Sequence, residues 1–455
     1  MTKFLPVALL LLLAASMATA TPVDQLGTYR FSVTVQGHTL KIPYDANQSI
    51  TVAHSSVRRL VLLIHGSSRH SDTALETLQL DATAAGVNNS SSLLVGPQFL
   101  TEEDIDDHAL ASDMLFWEDD GWKQGDQSLS TTANARPAKI SAFAVLDSML
   151  YRIATLCPNL ETIVIGGHSA GGQFTNRFAA GSRLPQLLAQ QFGIQMSYVV
   201  ANPSSYIYMD GTRLVPKTSN SWATPQGTSC PEYNFYKYGM QSRNPYMAAV
   251  SSAQIASQYA QRRVTYLLGE LDTDPNGDGV DTDCPAEIQG SYRLERGLTY
   301  RKYLIHYYGP EIQALHEAIT VPGVGHDSQG MFTSTCGLSR LFGFGSCSTI
   351  VGVEGGAPTH TSALQHGQLS CSPNPIQGRA TISFAVPNGQ GPATVSVFDV
   401  RGRLVRAFTT DMSGGKGSLV WDGRSGSGQD LSSGIYYVRL QHAGGTLKTA
   451  VVLLK

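Results

Sequence analysis

The sequence predicts a doubly wound, mostly parallel α/β sheet followed by a small all-β sandwich. Three observations carry that expectation. Up to residue 347, short continuous apolar runs alternate with longer stretches of helical apolar spacing. Residues 348–370 are rich in Gly, Ser, Thr and Pro and show little apolar periodicity, as a linker does. Beyond them the apolar residues fall at period two between glycine-bearing turns.

The elements follow in order. Residues 1–20 read as a signal peptide, with Lys3 as the positive start, an apolar run Phe4–Ala15, and Ala18-Thr19-Ala20 as the small-residue cleavage signal. The run is too short to span a bilayer, and no later segment is long and apolar enough. Residues 21–347 form the first domain. Arg59–Ile64, Leu93–Val95, Thr162–Ile165, Tyr198–Val200, Val264–Leu268 and Ala318–Val321 read as buried strands, and Ile140–Leu156 as a helix with Ala142, Val145, Leu146, Met149 and Leu150 on its apolar face. Strands alternating with helices imply a parallel sheet with both faces covered. Residues 371–455 form the sandwich, with alternation over Thr381–Val386, Thr394–Val400, Ile435–Leu440 and Thr446–Leu453.

Composition restricts the function classes. Charged residues are 15% of the chain, and the net charge of −3 argues against nucleic acid as a partner. Residues 372–455 carry +5, nine Lys and Arg against four Asp. With Lys3 also set aside, residues 21–371 are left at −9 (−3 − 1 − 5). Six cysteines in an exported chain suggest disulfides. The expected pairs are Cys230 with Cys284 and Cys336 with Cys347, leaving Cys157 and Cys371, of which either is a candidate buried free thiol.

Gly167-His168-Ser169-Ala170-Gly171 follows the apolar run ending at Gly166 and opens a helical stretch. A serine with glycine two residues to either side, at a strand-to-helix corner, is a nucleophile elbow, and the sharp turn exposes its hydroxyl. Serine is a weak nucleophile and needs a base held by a carboxylate. Val264–Leu268 runs into Gly269-Glu270-Leu271-Asp272-Thr273-Asp274, and Ala318–Val321 into Gly323-Val324-Gly325-His326. Both loops leave strand carboxyl ends, where sites of open α/β sheets assemble. His326 is the expected base, ahead of His306, read as a core histidine, and His316, which starts its strand. Asp272 is the expected acid, ahead of Asp274, Glu270 and Asp210. Ile64-His65-Gly66-Ser67-Ser68 supplies the expected oxyanion loop, with the Ser67 and Ala170 amides as donors and His65, Gly66, Gly167 and Gly171 as supporting residues.

These four motifs resemble the α/β-hydrolase superfamily, in its serine esterase and lipase branch, over residues 28–345. The resemblance implies a Ser169–His326–Asp272 triad, an acyl-enzyme intermediate and no cofactor; it does not name the substrate, because this fold hosts many reactions. The expected activity is cleavage of an acyl bond, a carboxylic ester before a peptide. A secreted serine peptidase of the same fold is the second reading. A non-catalytic surface or adhesion protein on a hydrolase scaffold is the reading from another class, and it requires a broken triad or a blocked cleft.

Three segments carry further expectations. Phe116–Trp122 is read as either a stacking rim or packed core, and Cys230–Tyr246, with Tyr233, Phe235, Tyr236 and Tyr238, as a lid or substrate wall. Asp274, Asn276 and Asp278 alternate as calcium ligands do. The bidentate glutamate is missing, since Pro285 holds the twelfth position counted from Asp274, so no metal is expected and a loose calcium site stays secondary.

Ser372-Pro373-Asn374-Pro375, Val397–Val405, Trp421-Asp422-Gly423 and Ser433–Tyr436 resemble the Ig-like domains of flagellar hook-capping proteins and of type IX sorting signals in exported bacterial proteins. That resemblance implies a bacterial source and export or surface attachment, with the export machinery or cell surface as partner. A secreted or cell-surface protein is expected, with the periplasm as the alternative.

Overall fold

The computed structural model describes residues 21–454 apart from 89, 215–220, 226–229, 346, 348–367, 375, 387–390, 400–402, 413 and 443–444. The expected signal peptide and most of the expected linker lie outside the described residues. The chain divides into two compact units, Met1–Gly352 and Val353–Lys455.

The first unit is built on an eight-stranded sheet. Its strands are β1 (Tyr29–Val35), β2 (His38–Ala46), β3 (Arg59–Ile64), β4 (Ser92–Pro97), β5 (Thr162–His168), β6 (Gln195–Ala201), β9 (Arg263–Gly269) and β10 (His316–Val321). A short ribbon, β7 (Arg213–Leu214) with β8 (Trp222–Ala223), lies in the insertion between β6 and β9. The spatial order is β1-β2-β4-β3-β5-β6-β9-β10, parallel from β4 to β10, with β2 antiparallel to both β1 and β4. The sequence reading marked no strand at β1 or β2. β1 alternates buried and less buried positions over much of its length, as a strand with one solvated face does, and β2, though buried from Ile42 to Ala46, breaks its apolar residues with Lys41, Pro43 and Asp45, so neither shows the continuous apolar run of the central strands.

In β3, Leu60, Leu62 and Ile64 enter one core cluster while Val61 and Leu63 enter another on the opposite face. Period-two alternation with every position apolar is what burial on both faces requires. Helices cover the sheet: α1 (Ser71–Ala84), α2 (Glu102–Asp107), α3 (Ala142–Leu156), α4 (Ala170–Gly181), α5 (Leu184–Phe192), α6 (Pro245–Ala248), α7 (Ser252–Tyr259), α8 (Cys284–Glu287), α9 (Arg293–Tyr308), α10 (Ser328–Thr333) and α11 (Thr335–Phe342). Ser141 caps α3 by accepting the Phe143 N–H, which fixes the start expected from its apolar spacing. Every residue of α4 is buried, and its polar side chains are paired inside: Asn176 donates to the Tyr259 hydroxyl at 2.8 Å, and Arg177 to Ser205 Oγ at 3.0 Å. No helix among the described residues is long and apolar enough to cross a membrane.

Both expected disulfides are formed, Cys230–Cys284 and Cys336–Cys347, and Cys157 is a buried free thiol. Of the two readings left open for Phe116–Trp122, packed core holds: Trp117 and Trp122 are fully buried, packed edge-on and stacked against Phe99. One expectation is corrected. His306 is exposed and stacked on Trp222 at 5.1 Å, not a core histidine, because it falls on the outer face of α9.

The second unit is a sandwich of a three-stranded sheet, β11 (Gln368–Ser372), β13 (Ala380–Ala385) and β16 (Lys416–Trp421), and a five-stranded one. The latter runs β12 (Ile376–Gln377), β18 (Gly445–Leu454), β17 (Gly434–His442), β14 (Gly391–Asp399) and β15 (Leu404–Met412). Trp421 is fully buried between them, its indole N–H donating to the Arg424 carbonyl. Asp399 Oδ1 accepts the Arg403 N–H across the β14–β15 turn.

Candidate active site

The turn from β5 into α4 is built by glycine. A Cβ on Gly167 would lie 2.2 Å from the Gly171 carbonyl oxygen, and one on Gly171 would lie 2.2 Å from that of Ile64. The spacing seen in the sequence is therefore a steric requirement at both ends of the corner. Between them Ser169 has φ 56° and ψ −118°, a region costly to a residue with a Cβ. Its N–H donates to the Ala201 carbonyl at the end of β6.

Ser169 opens onto a cleft of about 610 Å³ that Asp272 and His326 also line. His326 Nδ1 lies 2.8 Å from Asp272 Oδ2. Donation from Nδ1 leaves Nε2 as the free nitrogen, the one that serves a nucleophile. Asp272 is buried, and its second oxygen faces the buried Arg293 guanidinium at 3.5 Å. Burial pushes the Arg293 guanidinium below its usual range, and the Asp272 carboxylate works against that shift.

The rival acids are occupied elsewhere. Asp274 lines the cleft but accepts the Asn276 N–H in its own turn. Glu270 Oε2 accepts the Gly323 N–H, and Asp210 accepts from Thr212 and Tyr303. His316 is a buried core histidine bonded to Tyr259 and Tyr266.

The segment after β3 is pinned from two sides. His65 Nε2 accepts the Phe99 N–H at 3.0 Å, so the proton sits on Nδ1, which donates to the Gly66 carbonyl at 2.8 Å. Burial pushes His65 down to about 4, so the ring is neutral at physiological pH. Arg69, buried and bidentate on Asp104, donates to the Ser67 carbonyl at 3.2 Å. Among the described residues no acceptor meets the Ser67 or Ala170 N–H, and Ala170 opens α4, where the first amides lack intrahelical partners. A Cβ on Gly66 would meet nothing within 4 Å, which leaves the main chain open to the cleft.

His168 is buried beside His326, ring centroids 4.4 Å apart. Burial, and secondarily the charges of His326 and Arg293, hold it well below the usual imidazole range. It is a neutral packing partner of His326. More of the wall comes from His70 at the N-cap of α1, from Thr73 and Thr77 within that helix, and from Leu271, Asp278 and Ser328.

One expectation fails at the site. No described residue of Cys230–Tyr246 lines the cleft: Tyr238 donates to Asp281 and Asp283, Tyr236 to the Gln124 carbonyl, and Tyr233 stacks on Arg213. The segment is packed wall of the domain, not a lid. Among the described residues no group of three His, Cys, Asp or Glu side chains is placed to hold a metal. The Asp274–Asp278 loop is tied by its own turn and by Arg293, which donates to the Asp278 carbonyl. Arg69, Asn202 and Arg293 were missed by sequence reasoning. Only Asn202 left a signal there, as the polar residue ending an apolar strand.

A doubly wound sheet in this strand order, with an elbow serine after β5 and acid and histidine loops after β9 and β10, is the α/β-hydrolase fold, followed here by an Ig-like sandwich. Residues 372–445 match the family model of the FlgD Ig-like domain. No curated protein sequence matches the chain. Among solved structures, poly(aspartic acid) hydrolase-1 from Sphingomonas sp. KT-1 is 22% identical, covering 68% of this chain and 96% of its own, with a TM-score of 0.42. The poly(3-hydroxybutyrate) depolymerase LpqC from Bordetella parapertussis is 18% identical over 70% and 91%, with a TM-score of 0.44. FlgD from P. aeruginosa is 21% identical over 20% of this chain and 73% of its own, with a TM-score of 0.16.

Proposed function

We propose that this protein is an exported serine hydrolase that cleaves a carboxylic ester through an acyl-enzyme. The observation that carries the reading is the convergence in one open cleft of a strained, half-buried serine and a histidine whose Nδ1 is bonded to a buried aspartate. In the proposed reaction Ser169 Oγ attacks the acyl carbonyl and passes its proton to His326 Nε2. Asp272 fixes the tautomer and stabilises the imidazolium. The Ser67 and Ala170 amides receive the oxyanion. His326 returns the proton to the departing alkoxide, and water then releases the acid by the same steps in reverse order. The presence of Ser169, His326 and Asp272 along one open cleft favours this reading over a surface protein on a dead scaffold. The disulfides fit an oxidising compartment, and the FlgD-like domain supports attachment or sorting at the cell surface.

A fluorophosphonate probe tests the chemistry. Ser169 should label covalently, Ser169→Ala should not, and Asp272→Asn should slow turnover about 10⁴-fold. A folded protein that leaves Ser169 unlabelled sinks the proposal. A panel of p-nitrophenyl esters of graded length beside peptide amides decides between ester and peptide.

A further inference from the structure

We infer that Asn202 is the positioning residue that sets the three triad segments against one another; the inference rests on the serine hydrolase reading. Asn202 follows β6, is buried, and has a φ of 42°, in the left-handed region that asparagine tolerates better than most residues. Its side chain reaches each catalytic segment. Oδ1 accepts the Gly269 N–H at 2.7 Å, at the end of the strand leading to Asp272. Nδ2 donates to the Gly325 carbonyl at 3.1 Å, one residue before His326. The same nitrogen lies 3.5 Å from Nε2 of His168, whose ring packs on His326 and whose neighbour is Ser169. The preceding residue, Ala201, accepts the Ser169 N–H.

The surroundings are shaped for this contact. A Cβ on Gly269 would lie 2.6 Å from the Gly325 oxygen and 3.0 Å from Asn202 Nδ2, so the acid and histidine loops touch where the amide bridges them. Leu271 N–H donates to the Val324 carbonyl beside it. One amide offers an acceptor to one loop and a donor to the other, which neither aspartate nor leucine, both close to its size, can do. Displacement of a catalytic group by about 1 Å costs on the order of 10² in rate. Asn202 touches no substrate in this scheme and acts through the residues it holds.

Asn202→Gly keeps the left-handed backbone without strain and removes the bridge. Asn202→Asp keeps the acceptor for Gly269 and loses the donor to Gly325. Fluorophosphonate labelling rates, kcat and KM on p-nitrophenyl butyrate, and melting temperature are measured for both. The expected result is a fall of about 10² in labelling rate and kcat for Asn202→Gly, with KM within about threefold and an intermediate loss for Asn202→Asp. Labelling and kcat within threefold of the parent in either folded variant would overturn the inference, as would losses that track melting temperature alone. If the parent protein itself does not label, the hydrolase reading fails. The downfield proton NMR signal of the His326 Nδ1–H then still tests Asn202: it should move or vanish in Asn202→Gly, and an unchanged signal refutes the positioning role.

Discussion

Arg293 Nη1 stands 3.5 Å from Asp272 Oδ1, and both side chains are almost wholly withdrawn from solvent. The same guanidinium donates to the Asp278 carbonyl, and the Leu294 N–H donates to the Asp272 carbonyl. The N-terminus of α9 thus holds the acid by its charge and by its main chain. Removing one partner of a buried pair leaves an uncompensated charge, at a cost of about 3 kcal/mol or more. Arg293→Met should therefore lower unfolding free energy by about that amount in urea titration, and turnover should fall with it. Arg293→Met/Asp272→Asn should recover part of the stability and none of the activity. A double variant no more stable than Arg293→Met would show that the pair is not what Arg293 supports.

His316 gives a pH-dependent contribution of known sign. Burial pushes it down to about 4, and its bond to the Tyr259 carbonyl opposes that shift only in part. In the unfolded chain it takes a proton near pH 6.5. Between these values the unfolded state binds more protons, so this contribution is full above about pH 6.5 and is lost as pH falls toward 4. The span corresponds to about 3 kcal/mol. Urea unfolding at pH 6.5 and 4.5 should show a shallower acid loss in His316→Gln than in the parent. Equal slopes would show that His316 is not a buried neutral imidazole.

Much of this was legible in the sequence because the chemistry constrained it locally. Gly167 and Gly171 are glycine because a Cβ at either would strike backbone, so the elbow could be read from spacing. His326 and Asp272 follow strand ends visible as apolar runs. What stayed hidden depends on distant contacts. Arg293 and Asn202 are ordinary polar letters in the chain and gain their roles only where α9 and β6 meet the acid loop. The tyrosines near Tyr233 suggested a lid because aromatic composition does not say which way a segment packs. Trp117 and Trp122 were ambiguous for the same reason.

The two disulfides should contribute unequally. Cys230–Cys284 closes 54 residues and Cys336–Cys347 closes 11. Loop-closure entropy assigns about 4 kcal/mol to the first and about 3 kcal/mol to the second. Cys230→Ser/Cys284→Ser should accordingly lose more unfolding free energy than Cys336→Ser/Cys347→Ser. The reverse order in matched denaturant titrations would mean that native-state contacts near Cys336 outweigh loop entropy.

The proposed oxyanion loop offers a test in which stability and catalysis separate. His65 bridges the Phe99 N–H and the Gly66 carbonyl, and its ring packs 4.5 Å from Trp122. The Gly66 carbonyl also accepts the Arg69 N–H, and Arg69 draws on the Ser67 carbonyl. With both carbonyls held away, the Ser67 N–H stays available to an oxyanion. A lost oxyanion donor costs roughly 3 kcal/mol in the transition state. His65→Phe keeps a ring against Trp122 but frees Gly66, so it should lower kcat by about 10- to 100-fold while KM changes little, because the donor acts on charge that develops only in the reaction. Fluorophosphonate labelling should slow in parallel, since that reaction also builds negative charge on oxygen. A rise in KM with kcat unchanged would place His65 in ground-state binding and remove the Ser67 amide from the oxyanion site.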